Sequence, residues 1–585
     1  MRAVDPRPSA LPAPRRSRVE RAVPAAALLL VVLFVLCFSA LPLVAMVAQS
    51  LDGGLVAAGE RYASVLANSA TEIWNSCFSG AMAAVLATGL ALAVSLCITF
   101  GAPRLRRPLQ VAVLLSMASP PFVASLAYIQ LFGKRGLVTH GLLGLSVSPY
   151  GWQGVVVMQA LFFCALDVLL LTAVLSRIDP ALMQAARGLG ARLGRVLRTV
   201  VLPVAGPAIL VCLLLTFIRS ISDYGTPVVI GGAFNTVATQ IYVQLVGYSD
   251  LSAVAVLNMV LLAVSGLVFF AQKRLDARTA RLVEGTHGGR ADAPAWRMAG
   301  PVSTALYVVA VTFGAFIVVL YLTVVRSAFV RGVGAGAPFT LENFEHLAAY
   351  DLAPLGRSLL YGILAAALAT VLGAVAAYFT ARKRVAGSRV LSFCLSMPYM
   401  LPGTCLGLGF ILAFNGAWGV KLTGGALILV LVLATRQLAI SADAFSSSMA
   451  QVSRELDMAA RGLGAGEARM FRDVIWPNVR EAAAVSLVNG FSSAMMSYGA
   501  LLFLVAPSTK TAVVQLFDAL SGGKYGNAAA VAVVLMAVTL VGDVLASRIS
   551  SRAPRPGAPV PAGTGTEAPS ADLGVAGPTT AKEAR

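Results

Sequence analysis

Charged residues are scarce in this chain. Only 12% of its 585 residues are Asp, Glu, Lys or Arg, whereas 58% are hydrophobic. One soluble core cannot bury so much apolar surface, which argues against a soluble domain and indicates a protein that resides in a lipid bilayer. The formal net charge of +19 comes from basic residues that lie between apolar blocks and not in one stripe. This arrangement argues against nucleic acid as a partner and favours contact with membrane lipid.

Histidine and cysteine are also sparse. His140, His287 and His346 map to loops and are too far apart in sequence to predict a metal or haem site. A membrane-embedded enzyme would need a histidine cluster, paired carboxylates or a Ser-His arrangement in the bilayer, so we predict no catalytic residue and no bound cofactor. The cysteines are odd in number and form no CxxC pair, which favours unpaired packing thiols: Cys37, Cys77, Cys97, Cys164, Cys212, Cys394 and Cys405.

Long apolar runs dominate the chain instead. A helix needs about 20 apolar residues to cross a hydrocarbon core of about 30 Å. Twelve windows suffice, near residues 24–48, 74–99, 109–132, 155–176, 204–222, 253–272, 303–327, 356–380, 390–414, 423–443, 481–504 and 526–547. We predict an all-α polytopic membrane protein of about twelve transmembrane helices. Its first window is too long for a signal peptide and is interpreted as an uncleaved span.

The distribution of basic residues predicts the orientation in the membrane. Most of the 45 Lys and Arg residues fall into the segments that are cytoplasmic when the N-terminus is placed inside. The positive-inside rule then predicts that both termini are cytoplasmic. Residues 1–23 are predicted to be a basic cytoplasmic tail. Residues 548–585, rich in Pro, Gly, Ala and Thr, are predicted to be a disordered cytoplasmic tail.

The sequence contains an internal repeat. The segment Met183-Gln-Ala-Ala-Arg-Gly-Leu-Gly190 returns 274 residues later as Asp457-Met-Ala-Ala-Arg-Gly-Leu-Gly464. The same step relates Pro203 to Pro477 and Tyr224 to Tyr498, and a step of 282 relates residues 86–88 to 368–370. Each copy holds six spans, an even number, so the copies are parallel and the pathway is expected between them. We place repeat 1 at 24–272, a cytoplasmic linker at 273–302 and repeat 2 at 303–547.

A cytoplasmic loop between the fourth and fifth spans of each copy, at 177–203 and 444–480, is longer than a connection requires. In the first copy, Asp179-Pro180 predicts a helix N-cap followed by proline at the first helical position. This helix should end near Arg187, before the break Gly188-Leu-Gly190, and a second short helix should follow. Three arginines spaced by three should share one exposed face of that second helix: Arg192, Arg195 and Arg198.

These loops resemble the EAA motif of ABC importer permeases, which reads EAA, three residues, G, nine residues, I, one residue, LP. In the first copy the matching residues are Gln184, Ala185, Ala186, Gly190, Leu202 and Pro203. In the second copy they are Met458, Ala459, Ala460, Gly464, Trp476 and Pro477. The acidic residue of the motif is missing from both copies. The alternative interpretation is an amphipathic connector lying on the membrane surface.

The resemblance implies two repeats of the type I ABC importer permease fold, in a bacterial inner membrane. Each loop would be a coupling helix that docks into a groove on a cytoplasmic ATPase. The chain has no GxxxxGK[ST] phosphate loop, so ATP and Mg²⁺ are expected on the partner subunit. Because this chain carries two coupling loops, the implied assembly has one permease chain, two ATPase copies and one extracytoplasmic binding protein, with no second permease chain.

Polar residues inside the spans are candidates for the translocation pathway, because charges there are costly. In the first copy these are Asp167, Arg219, Asp223 and Tyr224, and their counterparts in the second copy are Ser441, Ser493, Ser497 and Tyr498. Arg219 and Asp223 are four residues apart and can face each other on one helical side. An ion pair that merely packs is an equally good interpretation of that pair.

The segment Ser222-Asp-Tyr-Gly-Thr-Pro227 and the residues after it resemble the corresponding segment of iron(III) permeases. Iron(III) is therefore the preferred cargo, and phosphonate, thiamine and polyamine permeases of the same class remain alternatives. A secondary active transporter with twelve spans is the competing class. Its repeated cytoplasmic feature would lie between the second and third spans, whereas the repeated loop here follows the fourth.

Overall fold

The computed structural model describes residues 18–117, 120, 122–145, 148–284, 297–416 and 419–551. These residues are mostly helical and contain no β-strand beyond two isolated bridges. Nine helices in them are long and apolar enough to cross a membrane: α1 Ala22–Ser50, α2 Ala70–Phe100, α3 Trp152–Leu175, α4 Leu193–Ile221, α5 Leu251–Leu275, α6 Pro301–Ala328, α7 Glu342–Arg382, α8 Ala426–Gln451 and α9 Tyr525–Leu545. The all-α polytopic prediction is thus confirmed.

The third predicted window of each copy is broken into two helices. In the first copy the helices Pro103–Met117 and Val123–Phe132 flank the sequence Pro120-Pro121. In the second copy Ser388–Tyr399 and Gly403–Phe414 are bent by 107°. A proline removes a helical hydrogen bond and clashes with the preceding turn, which explains both breaks. The second pair gives a tenth span if it is counted as one, so the predicted windows 109–132 and 390–414 each correspond to two helices.

The predicted window at 481–504 is shifted in the structure. Its helix runs over Trp476–Met496 and ends where Ser497 takes an extended backbone conformation. A turn then carries Tyr498. Its second turn contains Arg480 and Glu481, and the helix is less apolar than the nine spans.

The ends of the predicted segments lie partly outside the described residues. Residues 1–17 of the basic tail, 285–296 of the linker and 552–585 of the C-terminal tail are not described. The helix that contains α5 continues to Glu284, and therefore enters the predicted linker as a helix. The last helix continues to Ser551.

The two copies exchange their first helices. α1 packs on helices of the second copy, where Phe38 stacks near Phe410 and Phe414 at 6.2 and 5.4 Å between ring centroids. α6, the first helix of the second copy, packs on α2 and on both halves of the broken helix of the first copy. Its Tyr321 hydroxyl donates a hydrogen bond of 2.7 Å to the Leu115 carbonyl. Each copy is therefore completed by a helix of the other.

Small residues let the helices within a copy approach closely. Gly373 of α7 lies against Ser441 of α8, and a Cβ added at Gly373 would be 2.6 Å from the Ser441 Cβ. Without a hydrophobic force between helices in lipid, such close van der Waals packing is a main source of association.

Candidate coupling loops and pathway

The first predicted loop folds as two short helices joined by a glycine turn. The Asp179 carboxylate caps the helix Pro180–Gly188 by accepting a 2.8 Å hydrogen bond from the Ala181 amide. Gly190 then adopts a φ of +80°, a left-handed conformation that favours glycine. The second short helix starts at Leu193 and forms the first turns of α4. Arg192, Arg195 and Arg198 are all exposed, as the spacing predicted.

The second loop repeats this geometry. The Ser453 hydroxyl caps the helix Arg454–Gly462 by accepting a 3.1 Å hydrogen bond from the Glu455 amide. Gly464 again has a φ of +80°. A Cβ added at Gly190 or Gly464 would meet no atom within 4 Å, so backbone conformation alone, and not crowding, explains the two glycines.

Both loops present large apolar side chains at their surface. Leu189 and Leu463, which are equivalent in the repeat, are 90% and 89% exposed. Met458 is 64% exposed and occupies the place of the missing acidic residue in the second copy. Contiguous exposed apolar surface usually marks an interaction site. The two leucines were not singled out from the sequence, although both lie in the identical segment of the repeat.

The remaining residues of the motif lie around these leucines. Ala185, Ala459 and both prolines, Pro203 and Pro477, are exposed, and Gln184, Ala186 and Ala460 are partly buried. Leu202 and Trp476, which precede the prolines, are 37% and 43% exposed. The structure thus places each set of six motif residues in one loop.

The first candidate coupling helix is held in place by apolar packing. Met183 is fully buried, and Leu193 and Val196 of the following helix are also buried. All three belong to a hydrophobic cluster that includes Phe100 at the end of α2 and Met298 before α6.

The second candidate coupling helix is held in place by an ion pair instead. The Arg382 guanidinium donates hydrogen bonds of 2.8 and 2.9 Å to the two carboxylate oxygens of Asp457. It also donates to the carbonyls of Met449, Val452 and Ser453, at the end of α8. The side chains of Arg382 and Asp457 are only 7% and 15% exposed. Bidentate geometry with low exposure makes this pair much stronger than a surface salt bridge.

A second ion pair supports the same joint, between the Lys383 ammonium and the Glu467 carboxylate at 2.8 Å. The repeat relates Asp457 to Met183 and Glu467 to Leu193, and the step of 282 relates Arg382 to Phe100. The two copies therefore hold equivalent loops with different chemistry.

At the end of α4 opposite to the coupling loop, five aromatic residues of the two copies meet. Tyr224 and Tyr498 stack on each other with ring centroids 5.9 Å apart and an interplanar angle of 13°. Phe122, Tyr242 and Phe517 surround them with centroids 4.6 to 5.0 Å from one or other of the tyrosine rings. Tyr224 and Tyr498 are 3% and 4% exposed. We call Phe122, Tyr224, Tyr242, Tyr498 and Phe517 the aromatic plug.

The sequence identified the two tyrosines of the plug from the repeat but missed Phe122 and Phe517. Phe122 has a φ of +73°, which is unusual for a residue with a side chain. Its ring fills the space next to Gly225, where an added Cβ would be 2.5 Å from the ring. This contact explains why glycine follows Tyr224.

The charges beside the plug do not form the pair that their spacing suggested. Asp223 accepts hydrogen bonds from the Gln159 side chain and from the amides of Gly225 and Thr226. Arg219 lies over the Phe163 ring at 5.4 Å from its centroid. No ion pair within 4.0 Å joins Arg219 to Asp223 in the described part of the chain, so Asp223 instead fixes the turn that carries Tyr224.

Asp167 and Ser441, predicted as pathway residues, have hydrogen-bond partners only within their own copies in the part of the chain that the structure describes. Asp167 is fully buried and accepts a 2.8 Å hydrogen bond from the Thr216 hydroxyl. Ser441 accepts a 2.7 Å hydrogen bond from Ser486, which in turn lies 3.0 Å from the Thr370 hydroxyl. The structure does not bring these two residues into the aromatic plug, whereas Tyr224 and Tyr498 lie at its centre, next to the buried Ser497.

Two stretches of the chain, residues 89–281 and 369–554, match the family described as the inner membrane component of binding-protein-dependent transport systems. The chain belongs to this family. Each stretch contains one coupling loop and one tyrosine of the plug, which agrees with the duplication seen in the sequence.

Several relatives of this permease are themselves named for transport. It is 28% identical to the ferric transport system permease protein FbpB of Actinobacillus pleuropneumoniae over 540 residues, which are 88% of this chain and 77% of the relative. A protein of Haemophilus influenzae named for ferric transport, FbpB 1, is 27% identical over 83% of this chain and 78% of its own. A Salmonella typhimurium protein named for 2-aminoethylphosphonate transport, PhnV, is 30% identical over 37% of this chain and 81% of its own.

Membership of the family makes this chain a multi-pass inner-membrane permease that works with a substrate-binding protein and an ABC ATPase. The members of this family are transport components and not enzymes. Among the described residues, no three His, Cys, Asp or Glu side chains are grouped so that they could hold a metal ion.

Proposed function

We propose that this chain is the transmembrane subunit of an ATP-driven importer for iron(III), delivered by a binding protein. Two relatives named for ferric transport support this cargo, because the alignments cover more than four fifths of this chain and include both repeats. The observation that carries the mechanism is the pair of equivalent leucines, Leu189 and Leu463, each exposed at the glycine turn of a coupling loop.

Each coupling loop would engage one ATPase subunit. The exposed leucine and the helix before it are suited to an apolar groove, and burial of a leucine side chain contributes about 1.5–3 kcal/mol. One chain offers two such loops, so the proposed assembly holds two ATPase copies, one binding protein and no second permease chain. ATP and Mg²⁺ would bind to the ATPase, and this chain would bind no cofactor. Both termini would then lie in the cytoplasm with the loops.

The aromatic plug would be the closed gate of the pathway. It joins the two copies at the end of α4 that is opposite to the coupling loop, roughly 40 Å away for a helix of this length. Movement of the ATPase subunits would rock the copies against each other, separate Tyr224 from Tyr498 and open a path for the cargo.

Co-purification of the ATPase tests the coupling loops directly. We expect Leu189→Asp and Leu463→Asp each to weaken the association, and the double variant to abolish it, because a buried unpaired carboxylate is costly. Leu142→Asp is the matched control, since Leu142 is 77% exposed in the segment between the helix Val123–Phe132 and α3, away from both loops. Full association of the double variant would contradict the proposal.

Phosphonate is the second candidate cargo, on the strength of the relative named for 2-aminoethylphosphonate transport. That alignment covers only 37% of this chain, so it carries less weight than the ferric relatives. Competition decides between them, because excess 2-aminoethylphosphonate lowers iron uptake only if it is a cargo of the same system.

A further inference from the structure

A cavity lies between the first copy and its coupling loop. Its volume is about 210 Å³, far above the roughly 10–15 Å³ that one water molecule needs. Its lining includes Thr99 near the end of α2, Thr172 near the end of α3 and Arg106 of the helix Pro103–Met117. Pro180, the first residue of the coupling helix, also lines it. A group bound in this cavity therefore contacts the coupling helix and the ends of two spans at once.

The polar groups of the lining are not paired with one another. The hydroxyls of Thr99 and Thr172 are buried and have no hydrogen-bond partner among the residues that the structure describes. A buried hydroxyl without a partner is costly, so such a group indicates a ligand or ordered water. In the same part of the chain Arg106 forms no ion pair, and Asp179, beside Pro180, uses its carboxylate to cap the coupling helix. One cation and two hydroxyl donors suit an oxyanion.

The second copy joins the same elements with its own side chains. There Arg382 takes the place of Phe100, and its guanidinium links Asp457 to the carbonyls at the end of α8. The first copy has Phe100 and Met183 at these two places, and neither side chain carries a charge. An anion bound by Arg106 would supply the polar link that the second copy builds from its own residues.

The cavity also adjoins an apolar surface of α3. Leu169, Leu170 and Ala173 are exposed and lie on the helical face that leads to Ser176, which lines the cavity. In a membrane-spanning helix, such a face contacts lipid. Basic pockets between transmembrane helices on the cytoplasmic side commonly bind the head groups of anionic lipids. A phospholipid can therefore place its phosphate beside Arg106 and an acyl chain along α3.

We propose that this cavity binds a phosphate group through Arg106, Thr99 and Thr172, and that the bound group holds the first coupling loop against α2 and α3. The planar guanidinium presents a fork of donors that matches phosphate oxygens. The head group of an anionic phospholipid and free inorganic phosphate share this chemistry, and the exposed face of α3 favours the lipid. An effect on ATPase coupling rests on the proposed function, whereas the site itself does not.

Lipid binding to the purified full-length permease tests the site. Native mass spectrometry measures the affinity for phosphatidylglycerol, which is anionic, and for phosphatidylcholine, which has no net charge. We expect tighter binding of phosphatidylglycerol, and Arg106→Gln should lower that affinity about tenfold through the loss of a charge-assisted hydrogen bond. Thr172→Val, which removes only the hydroxyl donor, should lower it several-fold. Arg107→Gln is the matched control, since Arg107 is exposed on the same helix but does not line the cavity.

Amide hydrogen exchange tests whether the bound group holds the loop. In nanodiscs with phosphatidylglycerol, the helix Pro180–Gly188 should be more protected than in phosphatidylcholine, and Arg106→Gln should lose this difference. The equivalent helix Arg454–Gly462 is the internal control, because Arg382 holds it without a ligand. Neither measurement requires transport, so failure of the iron proposal would leave both expected results unchanged.

Inorganic phosphate, added to the permease in detergent without anionic lipid, separates the two sources. Protection of the helix Pro180–Gly188 by phosphate, lost in Arg106→Gln, supports the site with a free oxyanion as its ligand. A preference for phosphatidylglycerol that is lost in the same variant supports it with a lipid. Phosphatidylglycerol binding that is unchanged in Arg106→Gln and Thr172→Val, with no effect of phosphate, would overturn the site. Binding without any change in exchange would overturn its role in holding the loop.

Discussion

At the scale of single residues, the turn of each coupling loop depends on the backbone conformation of one glycine, Gly190 or Gly464. Both have a φ of +80° and open space around the position of a Cβ. A branched side chain there should cost about 1–2 kcal/mol of local strain without any clash. The sequence predicted the turn in the first copy, because the glycines of Gly188-Leu-Gly190 indicate a helix break.

We expect Gly190→Val and Gly464→Val to distort the coupling loops and to reduce ATPase co-purification several-fold. Gly188→Ala and Gly462→Ala are matched controls, since both glycines have open surroundings and an ordinary φ. They should bind the ATPase as the wild type does. Equal binding by the valine variants would show that the turn is dispensable.

The stacked tyrosines allow a second prediction at this scale. Tyr224→Ala or Tyr498→Ala removes a ring from the buried plug, where an aromatic pair contributes about 0.5–1.5 kcal/mol beyond the area that it buries. We expect proteoliposomes with either variant to leak small ions without ATP, and Tyr224→Phe to stay closed. Tyr350→Ala, at a residue that is 70% exposed, is the control. Proteoliposomes that contain the alanine variants and do not leak ions would contradict the proposal that the aromatic plug is a gate.

Other residues of the site could not be found from sequence. Leu189 and Leu463 look like ordinary apolar residues until the fold leaves them uncovered. Arg219 and Asp223 have the spacing of an ion pair, yet backbone amides and Gln159 bind the carboxylate instead.

At the scale of helices, the two coupling loops have the same backbone geometry but are held in place by different interactions. Met183 is buried in an apolar cluster, whereas its counterpart Asp457 is bound by Arg382. The N-cap, the glycine break and the internal repeat predicted both loops, because these signals are local in sequence. It could not predict their attachment, which depends on α2 and α7, far away in sequence.

Loss of Arg382 should loosen only the second loop. Removing one partner of a largely buried ion pair costs about 3–5 kcal/mol. We expect Arg382→Met to raise amide hydrogen exchange across residues 453–470 but not across 179–196. The double change Arg382→Phe with Asp457→Met copies the first loop and should restore protection.

The control for this experiment is Arg472→Gln. Arg472 pairs with Asp473 at the surface, where their side chains are 75% and 47% exposed, so its loss should change little. Protection that is unaltered in Arg382→Met would show that the ion pair does not hold the loop.

At the scale of the whole molecule, the two copies are joined by more than a linker. α1 completes the second copy and α6 completes the first. Hydropathy and the repeat predicted the all-α fold and the internal duplication. They did not predict this exchange, because hydropathy does not indicate which apolar helices pack together. Pro120 and Pro402 are evident in the sequence, but the helix breaks beside them were not predicted.

We propose that ATP hydrolysis, transmitted through the two coupling loops, drives iron(III) import. Its most direct test is ⁵⁵Fe accumulation in proteoliposomes that hold the permease, its ATPase and its binding protein. We predict accumulation that requires ATP, is lost in the Leu189→Asp, Leu463→Asp double variant and persists in Leu142→Asp. Accumulation driven by an ion gradient with no ATPase present would contradict the claim and identify a secondary transporter.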